Sequence, residues 1–209
     1  MKTSIKTLFA TALTAIVLTS ATTVKATENN SNYTNITSVK NITKINISGN
    51  VKLILVQDAK ESVQVYDSYY TKNALVQQQD GELRISSFNK ETLTVIAHVN
   101  NISSIEASNN SSVSTSGSFN LLNLKVSLND LASADINTNT VNLNTIVNNG
   151  ASLKLSGTTE SYTAVLGTIA KLNMNDFSAA DSNVSTAAVH TYTASRYEDL
   201  KVDLLESLF

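Results

Sequence analysis

The chain has 209 residues, a formal net charge of −2, 42% hydrophobic and 15% charged residues, and neither Cys, Pro nor Trp. Its length is typical of one domain and suffices to bury a core. The missing cysteines exclude a disulfide framework, a thiolate metal site and a cysteine nucleophile, and the low charged fraction argues against a partner bound by charge.

The segment 1–26 has the pattern of a secretory signal peptide. Lys2 and Lys6 precede a mostly apolar run, Leu8–Leu18, and a stretch of small residues ends at Ala26. A membrane-spanning helix needs about 20 apolar residues, so this shorter run predicts cleavage after Ala26 and export rather than a retained anchor. Removal of this leader leaves 12 basic and 17 acidic residues, a charge of −5, which argues against nucleic acid as a partner.

The next segment, residues 27–41, is rich in Asn, Ser and Thr and predicts a flexible polar lead-in to a single domain at 42–209. The first half of that domain alternates apolar and polar residues with period two, which predicts half-buried strands. These strands are expected at Ile42–Ile47, Val51–Val56, Val63–Tyr66, Leu83–Ile85 and Leu93–Val99. The stretch from Tyr69 to Val76 fits either a helical turn or a strand.

Beyond residue 100 a coarser repeat appears. Four short apolar segments begin at Val113, Ala134, Leu153 and Leu172, so their successive spacings are 21, 19 and 19. Units of this length that cannot bury their own apolar face predict an all-β right-handed β-helix or β-solenoid, with about three strands of four or five residues in each unit. Asn in the turns between units suits left-handed backbone, and stacked Asn side chains predict hydrogen-bonded ladders along the stack.

Three segments together resemble the autotransporter-adhesin head GIN domain family: Ile45–Leu55, Gly81–Ile85 and the later repeat Asn149–Gly157. The resemblance extends from Ile42 to the C-terminus. It implies an exported bacterial protein, of a kind common in Bacteroidetes, with a right-handed β-helix-like fold. The family has no catalytic motif, so the resemblance transfers no functional residue and no cofactor.

Candidates for catalysis or metal binding are few. His98 and His190 are the only imidazoles, and both lie in strand-like segments where a lone histidine is interpreted as a surface residue rather than a base. Asp176 and Asp181, with asparagines nearby, have the oxygen atoms that calcium prefers. Because no calcium-loop pattern surrounds them, they are interpreted as solvated corner residues of the solenoid. The sequence predicts no catalytic, cofactor-binding or metal-ligating residue.

Two features leave alternatives open. Tyrosines cluster in the first half and near the C-terminus, where they either stack on a glycan or cap the core: Tyr66, Tyr69, Tyr70, Tyr192 and Tyr197. The tail Tyr197–Phe209 fits a helix by its leucine spacing and a strand by its alternation. Either form could cover the open end of a solenoid.

Two functions of different classes fit these observations. The first is an exported, non-catalytic solenoid, in the periplasm, at the cell surface or outside the cell, which binds a glycan or another surface ligand or has a structural role. The second is a carbohydrate-active β-helix enzyme, a polysaccharide lyase or hydrolase. Two carboxylates, or a carboxylate beside Arg196 or a lysine, within about 5–10 Å in one groove favour the enzyme. Scattered charges favour the first function, and self-association through a solenoid end is a third possibility.

Overall fold

A computed structural model describes residues 33–66 and 74–187. Every element in these ranges is a strand, and the 13 strands belong to one sheet. They are β1 (Thr34–Ile36), β2 (Lys44–Gly49), β3 (Val51–Gln57), β4 (Ser62–Tyr66), β5 (Ala74–Gln79), β6 (Glu82–Ser87), β7 (Leu93–Val99), β8 (Ser104–Ser108), β9 (Ser112–Ser116), β10 (Phe119–Leu128), β11 (Ser133–Val147), β12 (Ser152–Leu166) and β13 (Lys171–Thr186). The expected signal peptide, Tyr69, Tyr70, His190 and the C-terminal residues from Tyr192 to Phe209 lie outside the described residues.

The expectation of an all-β fold is confirmed. The five strands expected in the first half correspond to β2, β3, β4, β6 and β7, with ends that differ by no more than two residues. The structure also places β1 inside the segment expected to be a polar lead-in, where Asn35 lies opposite Gln64 of β4 in an antiparallel pair. Part of the stretch that the sequence left open, residues 74–76, lies in β5.

The later strands stack in parallel with the register that the sequence predicts. Ala134 of β11 lies opposite Val113 of β9 on one side and opposite Leu153 of β12 on the other. Leu153 in turn lies opposite Leu172 of β13. The spacings of 21, 19 and 19 in the sequence are therefore the offsets between paired strands. Each unit of this length is called a repeat below.

The length of a repeat follows from its parts. β11 is a strand of 15 residues followed by a four-residue turn, 148–151, and β12 has the same length and is followed by the turn 167–170. One strand and one turn together account for the sequence offset of 19 between side chains that stack on each other, such as Asn123 and Asn142. The first spacing is two residues longer than the others. Ser114 pairs with Asp135, 21 residues later, whereas Phe119 pairs with Thr138, 19 residues later. The chain between β9 and β10 therefore contains two additional residues.

The long strands bend, whereas the sequence predicted about three short strands in each repeat. At the bend two successive side chains point outward, Leu122 and Asn123 in β10 and Val141 and Asn142 in β11. This bend is called the corner. Neighbouring strands bend at the same position, so pairing is regular on both sides of it, and Asn123 lies opposite Asn142. The ladder therefore continues past the corner, which explains why one strand replaces the expected short ones.

The turns between repeats use left-handed backbone, as expected for their Asn and Asp residues. Asn109, Asp130 and Asn149 have φ angles of 60°, 61° and 53° and occupy equivalent positions in three successive turns. A short polar side chain tolerates this region better than other non-glycine residues do. In two of these turns the N–H of an alanine closes the loop, from Ala132 to the carbonyl of Asn129 and from Ala151 to that of Asn148, both at 3.1 Å.

One face of the sheet carries the apolar residues, and they form a single buried cluster. A row of this cluster crosses five strands through paired positions: Leu53, Val95, Val113, Ala134 and Leu153. A sheet with one apolar face buries it by curling on itself or by packing against another layer. Here the sheet curls, and its apolar residues pack against one another in that one cluster. No helix in the described part of the chain has the length and hydrophobicity needed to cross a bilayer.

Candidate functional site: an uncharged groove at the corner

A groove of about 650 Å³ opens beside the corner of β10 and β11. Five of its nine lining residues carry a side-chain amide, and none of the nine is ionisable. The lining consists of Gln57, Asn100, Asn101, Asn120, Leu121, Leu122, Asn139, Thr140 and Val141. This groove is called the amide groove. The groove is shallow and open to solvent over most of its length.

A second groove of about 480 Å³ adjoins the first, because Asn100 and Asn101 line both. It is called the side groove, and it contains Lys40, Lys60 and Glu61. The carboxylate of Glu61 accepts a hydrogen bond from the N–H of Ile42 at 3.1 Å. This carboxylate therefore holds the chain just before β2.

Gln57 closes the exposed edge of β10 within the amide groove. Its Oε1 accepts the N–H of Asn120 at 2.9 Å, and its Nε2 donates to the carbonyl of Asn120 at 3.1 Å. The same Nε2 donates to the carbonyl of Asn100 at 3.1 Å. A neighbouring parallel strand would satisfy Asn120 with the same donor and acceptor types. The side chain of Gln57 thus takes the place of a strand and protects the edge.

Replacement of Gln57 by alanine is expected to lower the free energy of unfolding by about 0.5–1.5 kcal/mol, because it removes the hydrogen bonds that this side chain makes at the exposed edge of β10. Gln79→Ala is the matched control, since Gln79 is exposed at the end of β5. Urea unfolding followed by circular dichroism measures both variants. Equal midpoints for the two variants would show that the Gln57 contacts do not stabilise the fold.

Side-chain amides form ladders between repeats on both sides of the corner, which confirms the ladder prediction. Asn142 Nδ2 donates to Asn123 Oδ1 at 2.8 Å, and Asn139 Nδ2 donates to Asn120 Oδ1 at 3.2 Å. Thr158 Oγ1 extends the second ladder by donating to Asn139 Oδ1 at 3.0 Å. The asparagines of adjacent repeats therefore fix one another, and the wall of the amide groove is ordered by these bonds.

His98 lies half-buried on β7, and its Nδ1 is 3.3 Å from Oδ2 of Asp58. The backbone N–H of Lys60 donates to Oδ1 of Asp58 at 3.0 Å. This bond lowers the pKa of Asp58 below its ordinary value, and the hydrogen bond and charge of His98 lower it further. Neither His98 nor Asp58 lines the amide groove or the side groove. Their contact joins two neighbouring parts of the sheet surface.

Asp176 and Asp181 are both exposed on β13, opposite Ser156 and Ser161 of β12. Among residues 33–66 and 74–187, no three His, Asp or Glu side chains are grouped so that they could hold a metal ion. The interpretation of these two aspartates as solvated residues stays a prediction.

Tyr66 is 37% exposed, and its ring centroid lies 5.0 Å from that of Tyr33. Its hydroxyl donates to Oε1 of Gln64 at 3.1 Å. The pair lies at the β1–β4 end of the sheet and lines neither groove.

None of the nine groove residues was predicted as a site residue from the sequence. A usable signal exists, because the spacing between Leu122 and Val141 equals the later repeat spacing. Each interrupts the alternation of its strand, since the next inward residue comes later than the period of two requires. A search for this break in alternation at the same position of every repeat would have predicted the corner.

The fold and the groove define an all-β protein of stacked parallel repeats with an uncharged groove at their corner. The family model described as "Putative auto-transporter adhesin, head GIN domain" matches residues 41–207, and the chain belongs to this family. The resemblance seen in the sequence is thereby confirmed. None of the curated proteins compared with the chain matches it.

Three solved structures are similar to the chain at low sequence identity. The first is "a putative adhesin from Parabacteroides merdae ATCC 43184", with 14% identity, a TM-score of 0.56 and coverage of 74% of this chain and 76% of that one. A "putative adhesin from Parabacteroides distasonis ATCC 8503" has 13% identity, a TM-score of 0.57 and coverage of 74% and 77%. A "Putative lipid binding protein" from the same strain has 11% identity, a TM-score of 0.54 and the same coverage. These similarities establish the shared fold.

Proposed function

We propose that the chain is an exported, non-catalytic, adhesin-like domain that binds a glycan or another cell-surface ligand. The amide groove is the observation that carries this proposal, because its lining offers hydrogen bonds and apolar contact but no ionisable group. General acid–base chemistry needs a positioned group that gains or loses a proton. The description of the family as an adhesin supports the same function.

The distribution of charge supports binding over hydrolysis. Two exposed ion pairs, Arg84 with Glu82 at 3.0 Å and Lys154 with Asp135 at 3.3 Å, lie outside both grooves. The side groove brings one carboxylate, Glu61, together with Lys40 and Lys60, and a carboxylate beside a lysine is the arrangement that favours the enzyme. Two observations weigh against catalysis in this groove. A glycoside hydrolase generally uses two carboxyl groups, and the carboxylate present is already bonded to the backbone.

The proposed architecture is a right-handed β-solenoid that forms a single domain over residues 42–209. The regular offset between parallel strands β11 and β12 supports it, and crossover connections between parallel strands of one sheet are right-handed in about 98% of cases. A crystal structure of the full chain tests this architecture. Coils of the opposite hand, or a sheet that fails to coil, would contradict it.

The proposed route out of the cytoplasm is the leader at residues 1–26, and the proposed location is the periplasm, the cell surface or the extracellular space. Mass spectrometry of the protein purified from the exported fraction should give a mature chain that begins at Thr27. A chain that retains its first residues after export would contradict cleavage at this site.

The binding function is tested by passing the full chain over immobilised cell-surface polymers, namely neutral polysaccharides, acidic polysaccharides and extracellular matrix proteins. Saturable binding to at least one polymer is expected, without release of sugar fragments or formation of unsaturated ends. Absence of binding to all three classes contradicts the proposal, and fragment release favours the lyase or hydrolase.

A further inference from the structure

The lining of the amide groove restricts the charge of its ligand. None of its nine residues is ionisable, so an anionic or cationic ligand would lose hydration there without gaining an ion pair. The two lysines of the side groove share that groove with Glu61. The groove therefore fits an uncharged ligand better than an acidic one.

Within the described part of the chain, some side-chain amides of this groove have free hydrogen-bond donors and acceptors, whereas others are fully used. Asn139 uses both ends of its amide, since its Nδ2 donates to Ser118 and Asn120 and its Oδ1 accepts from Thr158. The side chains of Asn100 and Asn101 are exposed and make no hydrogen bond within the described residues. Each primary amide offers two donors and one acceptor oxygen. Groups of this kind suit a ligand whose neighbouring hydroxyls both donate and accept.

The same groove also has an apolar part. Leu122 is 71% exposed and Val141 is 36% exposed, and they occupy equivalent corner positions in adjacent strands. Adjacent strands are about 4.8 Å apart, so the two side chains form a short apolar strip across the ladder. The C–H face of a sugar ring can cover such a strip while its hydroxyls reach the amides beside it.

The edge of β10 argues against an extended peptide as the ligand. Strand addition uses free backbone N–H and C=O groups at a sheet edge. The outward N–H and C=O of Asn120 are both bonded to the side chain of Gln57, at 2.9 Å and 3.1 Å. A peptide would have to displace this side chain, whereas a ligand held by side-chain amides would not.

We infer that the amide groove is a binding site for a neutral, extended oligosaccharide, held by Asn100 and Asn101 and by the strip of Leu122 and Val141. This inference rests on the proposed binding function and adds the ligand class and the residues. A chain of several sugar units can continue into the side groove, since Asn100 and Asn101 line both grooves.

Isothermal titration of the full chain with cellohexaose, xylohexaose and mannohexaose tests the inference, with oligogalacturonate as the acidic counterpart. At least one neutral hexasaccharide is expected to bind, and oligogalacturonate is expected not to. Asn101→Ala and Leu122→Ser are each expected to weaken binding about five-fold, the effect of one lost hydrogen bond or apolar contact.

Two matched variants control for general surface effects. Asn110→Ala alters an exposed asparagine outside both grooves, and Ile169→Ser alters a side chain that is 67% exposed, close to the value for Leu122. Both should bind as the unaltered chain does. If the chain binds surface polymers but no neutral hexasaccharide, or if groove and control variants bind alike, the inference is wrong and the binding function stands. If the chain binds no surface polymer at all, the proposed function itself fails.

Discussion

Replacement of Gly157 by alanine is expected to destabilise the protein by about 3–5 kcal/mol, since it combines backbone strain with overlap inside the sheet. Gly157 lies in β12 with a φ of 101°. A Cβ atom added there would lie 2.2 Å from the carbonyl oxygen of Thr138, its partner on β11. Backbone atoms of a paired strand cannot move aside without loss of the ladder on both sides.

Gly117 provides the matched control for this effect. It also has a left-handed φ, 83°, but no atom lies within 4 Å of the Cβ that alanine would add. Gly117→Ala should therefore cost only the conformational strain, about 1–2 kcal/mol. Urea unfolding of the two variants beside the unaltered chain measures the difference. Equal decreases in the free energy of unfolding would mean that backbone strain alone explains the effect of Gly157→Ala, and that β12 shifts to accept the methyl group.

The repeat length, the turns and the ladders were predictable because each depends on local chemistry. The repeat spacing appears in the sequence as recurring apolar positions, and the left-handed turns appear as Asn and Asp at equivalent places, as at Asp130 and Asn149. Stacking of identical units brings like residues together, so the bond from Asn142 to Asn123 follows from the period itself.

The amide groove was not predictable in the same way. Gln57 meets Asn120 far along the chain, and nothing in the local pattern indicates which segment approaches the edge of β10. Leu122 has the apolar side chain of a core residue, but at the corner this side chain points outward. The contact between Gln57 and the edge of β10 depends on where that edge is left without a neighbouring strand. The sequence of a single repeat does not show this position.

Replacement of Tyr162 by alanine is the second change with a large expected effect, about 3–5 kcal/mol, because it removes a ring from the core and leaves a cavity. Tyr162 is 1% exposed. Its ring centroid lies 5.4 Å from that of Phe177 in an edge-on contact, and its hydroxyl lies 3.0 Å from Oγ1 of Thr145. Tyr162→Phe keeps the ring and removes only the hydroxyl, so it should cost about 1–2 kcal/mol through the buried Thr145 oxygen that loses its partner.

The difference in stability between Tyr162 and the phenylalanine variant should also depend on pH in alkaline solution. Burial raises the pKa of Tyr162 above its ordinary value, and the hydrogen bond with Thr145 offsets part of this rise. Above about pH 10 the tyrosine of the unfolded chain releases its proton, whereas folded Tyr162 retains it. The contribution of Tyr162 to the free energy of unfolding is therefore fully present below that pH and is lost as the pH rises through the folded pKa. Urea midpoints near pH 8 and near pH 11 should therefore show that the advantage of tyrosine over phenylalanine shrinks at the higher pH. An advantage that stays constant between the two conditions would mean that the hydroxyl titrates in the folded protein as it does in the unfolded chain.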